Sequence, residues 1–162
     1  MKIAIGCDNA AVSLKRVLNE FLAVQADVEI VDLGVDSEND SELYPDVAER
    51  VALEVAKGRC DRGIILCGTG LGMAITANKI PGIRAATCHD VYSAERARKS
   101  NNAQIITMGA RVIGPEKAKT VLKAWLDSEF AGGRSAPKVQ RIIEIEQKYL
   151  STKENVRTVA KI

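Results

Sequence analysis

The sequence predicts an α/β protein: one domain built on a parallel sheet of five strands, with helices on both faces. Three observations carry that prediction. Short apolar runs alternate along the chain with longer stretches whose apolar residues recur at helical spacing. The runs are apolar almost without interruption, as in Gly63-Ile64-Ile65-Leu66-Cys67, which is the pattern of a strand covered on both sides. Glycine, proline and the pair Asp8-Asn9 punctuate the junctions.

The elements follow in order. Lys2–Cys7 is an apolar strand that stops at Asp8-Asn9. Across Ser13–Val24, residues Leu14, Val17, Leu18, Phe21 and Leu22 form one helical stripe. Val28–Leu33 alternates and ends at Gly34, a second strand. Tyr44-Pro45 opens a helix with proline in its first turn, and valines and alanines at helical spacing carry it to Gly58. Gly63–Cys67 is the third strand, and Leu71–Lys79 is a helix halted by Pro81-Gly82. Ile83–Cys88 and Gln104–Met108 read as strands on either side of a helix at Val91–Ser100. Pro115–Phe130 is a long amphipathic helix broken by Gly132-Gly133, and Pro137–Leu150 is the last. The domain spans 1–150, and 151–162 is a polar tail.

With 162 residues, 46% of them hydrophobic and 27% charged, the chain is large enough to bury a core. A net charge of +2 and the lack of a dense Lys/Arg run give no sign of a nucleic-acid partner. No apolar run approaches the roughly 20 residues of a membrane span. The run after Met1-Lys2 is too short for a signal peptide, so a cytoplasmic protein is expected. Four cysteines without a CxxC spacing and a single histidine, His89, are a poor supply for a closed zinc site, so no metal is expected. In a reducing compartment Cys7, Cys60 and Cys88 read as small buried hydrophobes.

Open parallel sheets bind ligands at the carboxyl ends of their strands. That places Asp8-Asn9, Cys67–Gly72, His89-Asp90 and Gly109–Arg111 on one rim. The centre of the rim is L-C-G-T-G-L-G-M-A, residues 66–74. It lacks the Gly-Lys-Ser/Thr ending of a triphosphate loop. Met73 stands where a dinucleotide fingerprint needs its third glycine, and where a cysteine phosphatase needs its arginine. What remains is a cysteine at a strand end, followed by backbone amides opening a helix. Such a place favours negative charge, a thiolate included. It joins a group able to take a proton to donors able to hold an oxyanion, the pair that proton abstraction beside a carbonyl needs. The residues alone leave a second reading open, in which the glycines only allow tight packing around a buried thiol.

G-C-D near the N-terminus, Tyr44-Pro45, C-D-R-G-I-I-L-C-G-T-G-L-G, A-N-K-I-P-G-I-R-A, N-N-A-Q, G-A-R-V-I-G and G-G-R together resemble the RpiB/LacAB family of sugar-phosphate isomerases. The resemblance runs from Lys2 to about Tyr149. It implies a Rossmann-like three-layer α/β/α sandwich, a homodimer or sometimes a tetramer with active sites at the interface, and a C-terminal helix packed on the partner. It also implies aldose–ketose isomerisation through a cis-enediolate, with no cofactor and no metal. By position, Cys67 matches the catalytic base and Thr69 the residue that moves protons at the sugar oxygens. The amides of Gly68, Gly70, Leu71 and Gly72 match the hole for the enediolate. Asp8 and Tyr44 match residues around the sugar hydroxyls, and Asn101 one near the carbonyl end. Arg111 and Arg134 match phosphate binders, Arg134 from the partner subunit.

The chain departs from the ribose 5-phosphate pattern at several places. Asn9, Ser100 and Ser135 stand where histidines are usual, and Lys138 where an arginine is usual. The histidine missing at Ser100 is the one assigned to opening the sugar ring. A four-carbon sugar 4-phosphate has the ring-forming oxygen esterified and stays open, so that loss suits a tetrose phosphate. The stretch from His89 to Gly114 also looks like the D-erythrulose-4-phosphate isomerase branch. Alternatively, His89, on the same rim, opens the ring of a pentose phosphate. A hexose-phosphate isomerase, a nucleotide-binding module and a non-catalytic sugar-phosphate sensor are the remaining readings.

Overall fold

The computed structural model describes residues 1–151. It has five parallel strands: β1 (Lys2–Cys7), β2 (Glu29–Asp32), β3 (Arg62–Cys67), β4 (Ala85–Thr87) and β5 (Ile105–Gly109). Their order is β2-β1-β3-β5-β4. The helices are α1 (Val12–Ala23), α2 (Tyr44–Ala56), α3 (Leu71–Ala77), α4 (Val91–Lys99), α5 (Pro115–Leu126) and α6 (Ala136–Ser151). One face carries α1, α5 and α4 side by side; α2 and α3 cover the other. The predicted sandwich is therefore present, while the tail expected over 151–162 lies, past Ser151, outside the described residues.

Burial explains the strand sequences. β3 and β5 are buried at every position, and Ile64, Ile65, Leu66, Ile105 and Ile106 fill the space between the layers. Each such side chain contributes about 1.5–3 kcal/mol by leaving water. The edge strands β2 and β4 are shorter and only partly covered. β4 is trimmed to Ala85–Thr87 because the side chain of Gln104, not a strand, accepts the Arg84 amide. Among the described residues, no helix is long and apolar enough to cross a membrane.

One departure from the sequence reading has a clear physical cause. α5 ends at Leu126, not Phe130, because Arg62, buried at the start of β3, donates to the carbonyls of Trp125 (3.0 Å), Leu126 (2.9 Å) and Ser128 (3.0 Å). A guanidinium supplies in one group the donors that a helix end lacks. Its charge is met by Glu129, which also pairs with Arg98. The last helix, α6, buries only Val139. Its apolar residues Ile142, Ile145, Tyr149 and Leu150 are exposed, so the stripe the sequence shows has no counterpart among the described residues.

Candidate active site

β3 delivers Cys67 to the rim, and Gly68-Thr69-Gly70 turn the chain into α3. Gly70 has φ +80°, a conformation that favours glycine, and a Cβ there would lie 2.9 Å from the Met108 backbone. The turn points the Gly70 amide at Cys67, whose Sγ accepts it at 3.1 Å. Thr69 Oγ1 accepts the Leu71 amide at 3.3 Å. Cys67 is 6% exposed, whereas Thr69 and Leu71 stand at the surface.

β5 is the floor of this loop. Gly109 pairs in register with Cys67, the Ala110 amide donates to the Cys67 carbonyl at 2.8 Å, and the Arg111 amide to that of Gly68 at 3.0 Å. A Cβ on Gly109 would sit 2.5 Å from Thr69 Cα, so no larger residue fits beneath the turn. Beneath Gly70, Thr107 Oγ1 donates to its carbonyl at 2.8 Å and meets Thr87 Oγ1 at 2.8 Å. Neither threonine stands out in the sequence, because these contacts join residues 37 and 20 positions apart.

Three more expected residues converge here. The Asp8 carboxyl, at the end of β1, accepts the Ala10 amide at 3.0 Å. Burial pushes that carboxyl above its ordinary range, against the pull of the Ala10 amide and of the Arg111 charge. Arg111 lies over the loop: a Cβ on Gly68 would meet its Cδ at 3.5 Å and its Cζ at 3.7 Å. Tyr44 covers Gly72, where an added Cβ would come within 2.6 Å of the ring. The segment that leads to Tyr44 is tied by Arg50, which donates to the Leu33 carbonyl at 2.7 Å and to Glu42, also at 2.7 Å. Asn9 is exposed beside Asp8.

His89 has a different engagement. Its Nε2 accepts the Gly109 amide at 2.9 Å, which leaves Nδ1 to carry the proton. Burial lowers its proton affinity, with Asp90 opposing. Ser100, Asn101, Arg134 and Lys138 are not brought to the loop within one chain. α4 runs back against the strands, so Ser100 and Asn101 lie at the opposite rim, where Gly63 pairs with Ile105. The segment that leads to Arg134 and Lys138 leaves from that rim too, at the Arg62 partners Ser128 and Glu129.

The other three thiols lie away from the turn. Burial pushes Cys7 up to about 12 and Cys88 to about 11, and raises Cys60 as well, which holds all three protonated. Among the described residues, no three His, Cys, Asp or Glu side chains gather as a metal site would require.

The structure is a parallel α/β sandwich whose rim brings together a buried thiol, the glycine turn that opens α3 and an arginine. A family model described as Ribose/Galactose Isomerase matches residues 3–142. The chain is 60% identical over 148 residues to a Ribose-5-P isomerase B from Listeria innocua, covering 91% of this chain and 99% of that one. It is 56% identical over 142 residues to a D-erythrulose-4-phosphate isomerase from Pectobacterium atrosepticum, covering 88% and 93% respectively. The solved structure of Clostridium thermocellum ribose-5-phosphate isomerase B superposes with a TM-score of 0.88 at 46% identity, covering 92% of this chain and 99% of that one. The chain belongs to this isomerase family, the RpiB/LacAB family, and is an aldose–ketose isomerase of phosphorylated sugars.

Proposed function

We propose that the protein interconverts a ketose phosphate and its aldose through a cis-enediolate, with Cys67 as the base, and that an open-chain tetrose phosphate of the D-erythrulose 4-phosphate type is the preferred substrate. The contact between Cys67 Sγ and the Gly70 amide carries this reading, because it puts a proton acceptor and a backbone donor in one turn at the start of a helix.

In the ketose-to-aldose direction, the Cys67 thiolate removes a proton from the carbon beside the carbonyl. The carbon–hydrogen electron pair becomes the enediolate double bond, and the carbonyl electrons move to oxygen. The amides of the 68–72 turn hold that oxygen. Thr69 passes a proton between the two oxygens, and the Cys67 thiol returns its proton to the former carbonyl carbon. Asp8 and Tyr44 receive the sugar hydroxyls. Arg111 binds phosphate from the same chain, and a guanidinium fork suits phosphate oxygens. A homodimer completes the site: Asn101, Arg134 and Lys138 reach it from the partner, whose surface covers the apolar face of α6.

Two observations support a substrate with no ring to open. Ser100 lacks the acid/base chemistry of the usual histidine, and the Nε2 of His89 is occupied by the Gly109 amide. The similarity to both named relatives keeps ribose 5-phosphate as the competing substrate. Comparing kcat/KM for D-erythrulose 4-phosphate and ribose 5-phosphate on the purified protein tests this, with galactose 6-phosphate as the hexose arm. A higher value for the tetrose phosphate is expected; a clear preference for ribose 5-phosphate overturns the open-chain reading.

A further inference from the structure

We infer that Thr87 and Thr107 form a positioning pair that aims the Leu71 amide into the active site by holding the carbonyl of Gly70. This rests on the reading of Cys67 and the 68–72 turn given above, and it assigns residues on β4 and β5 that touch no substrate.

The two threonines are register partners on adjacent strands, so their side chains stand on one face of the sheet. Thr107 is completely buried, and its hydroxyl donates to the Gly70 carbonyl at 2.8 Å. A carbonyl only accepts, so this 2.8 Å contact takes the single Thr107 proton. With the Thr107 proton on that carbonyl, the shorter of the two threonine contacts to it, the 2.8 Å contact with Thr87 runs from the Thr87 hydroxyl to Thr107 Oγ1. Thr87 also lies 3.4 Å from the same carbonyl, a weaker alternative for its proton. The chain of hydroxyls is polarised in one direction, and each bond strengthens the next.

The effect on the site follows from peptide geometry. The Gly70 carbonyl and the Leu71 amide belong to one planar trans peptide and point in opposite directions. Drawing the carbonyl down onto β5 turns the amide up toward the mouth of the loop. There, among the described residues, it meets Thr69 Oγ1 at a loose 3.3 Å, and can strengthen its bond to an oxyanion as charge develops. The Gly70 carbonyl also accepts the first α-helical bond of α3, from the Ala74 amide at 3.1 Å. One oxygen thus fixes both the helix start and the donor in front of it.

The test uses whichever of D-erythrulose 4-phosphate and ribose 5-phosphate the wild type turns over faster. Thr107→Val keeps the shape and removes the donor, so kcat should fall about 10-fold with KM within about twofold, since a misaimed donor is lost to the transition state more than to the substrate. Thr107→Ser restores the hydroxyl and should return kcat to within about threefold of wild type. Thr87→Val, which leaves Thr107 in place, should lose about two- to fivefold. Thermal unfolding checks that each variant is folded. An unchanged kcat in Thr107→Val overturns the proposal, as does a loss that serine does not restore. If Thr107→Val fails to fold, an unchanged kcat in Thr87→Val overturns it alone. Cys67→Ala, run beside them, separates this from the base assignment: only its retained turnover would count against that.

Discussion

Nε2 of His89 accepts the amide of Gly109 at 2.9 Å, one step beyond the last rung that β4 offers to β5. The Cys88 amide still bonds the Thr107 carbonyl at 3.0 Å, so the Gly109 amide would next meet a strand carbonyl. The imidazole takes that place. His89→Gln puts an amide oxygen at similar reach and should keep turnover on both sugar phosphates within about threefold, whereas His89→Ala leaves a donor unpaired and should cost about 1–3 kcal/mol in urea unfolding. Loss of ribose 5-phosphate turnover in His89→Gln alone would assign the ring-opening role to the imidazole instead.

The same contact predicts a pH dependence. Burial lowers the proton affinity of His89 in the folded state, so as pH falls below about 6.5 the unfolded chain binds a proton that the folded chain resists. This contribution to stability is present above that pH and is lost on acidification, until the folded-state value is reached. Thermal unfolding between pH 7.5 and 5.5 should therefore show a smaller drop in Tm for His89→Gln than for wild type. Equal drops would show that His89 does not contribute.

The glycines of the rim should separate fold from binding. At Gly109 an added Cβ meets the Thr69 backbone, which cannot move without moving the turn, so Gly109→Ala should cost about 2–4 kcal/mol and most activity. At Gly72 the obstacle is the Tyr44 ring, a side chain that can swing away. Gly72→Ala should fold normally and raise KM several-fold through a displaced Tyr44. Steady-state kinetics with circular dichroism distinguishes the two outcomes.

At the other end of the sheet, Arg62→Ala strips the donors from the end of α5 and leaves Glu129 with Arg98 alone. A loss of about 3 kcal/mol or more is expected in urea unfolding, because three acceptors lose a buried charged donor. A loss under about 1 kcal/mol would mean that water caps the helix equally well.

The α6 face makes a further test. Ile142, Ile145 and Tyr149 are apolar, exposed and on one helix. If the proposed homodimer forms through this face, Ile145→Asp should give a folded monomer by sedimentation with little turnover, because Asn101, Arg134 and Lys138 could then not reach a partner's Cys67. A fully active monomer would contradict the shared site.

Much of this was legible in the sequence, and what was not shares a physical cause. Local signals placed the five strands, the proline-led helix at Tyr44 and the glycine turn at Cys67, since periodicity and backbone demands are written in neighbouring residues. The motifs identified the family and singled out Tyr44 and Arg111, which lie against Gly72 and Gly68 of the turn. Hidden were the side chains that act across the sheet. Nothing near Arg62 announces that it ends a helix 63 residues away, and nothing near Thr107 points to Gly70. His89 was visible as the lone histidine, but its bond to Gly109 was not. Such contacts depend on strand order, and β5 inserting between β3 and β4 is a choice that local pattern does not encode.

The central claim, that Cys67 exchanges a proton at the carbon beside the carbonyl, is tested most directly by running the isomerisation in deuterium oxide and following that carbon by NMR. The wild type should place solvent deuterium there, and Cys67→Ala, folded as judged by circular dichroism, should lose about 10³-fold in both turnover and labelling. A Cys67→Ala variant that turns over and labels at the wild-type rate would contradict the account.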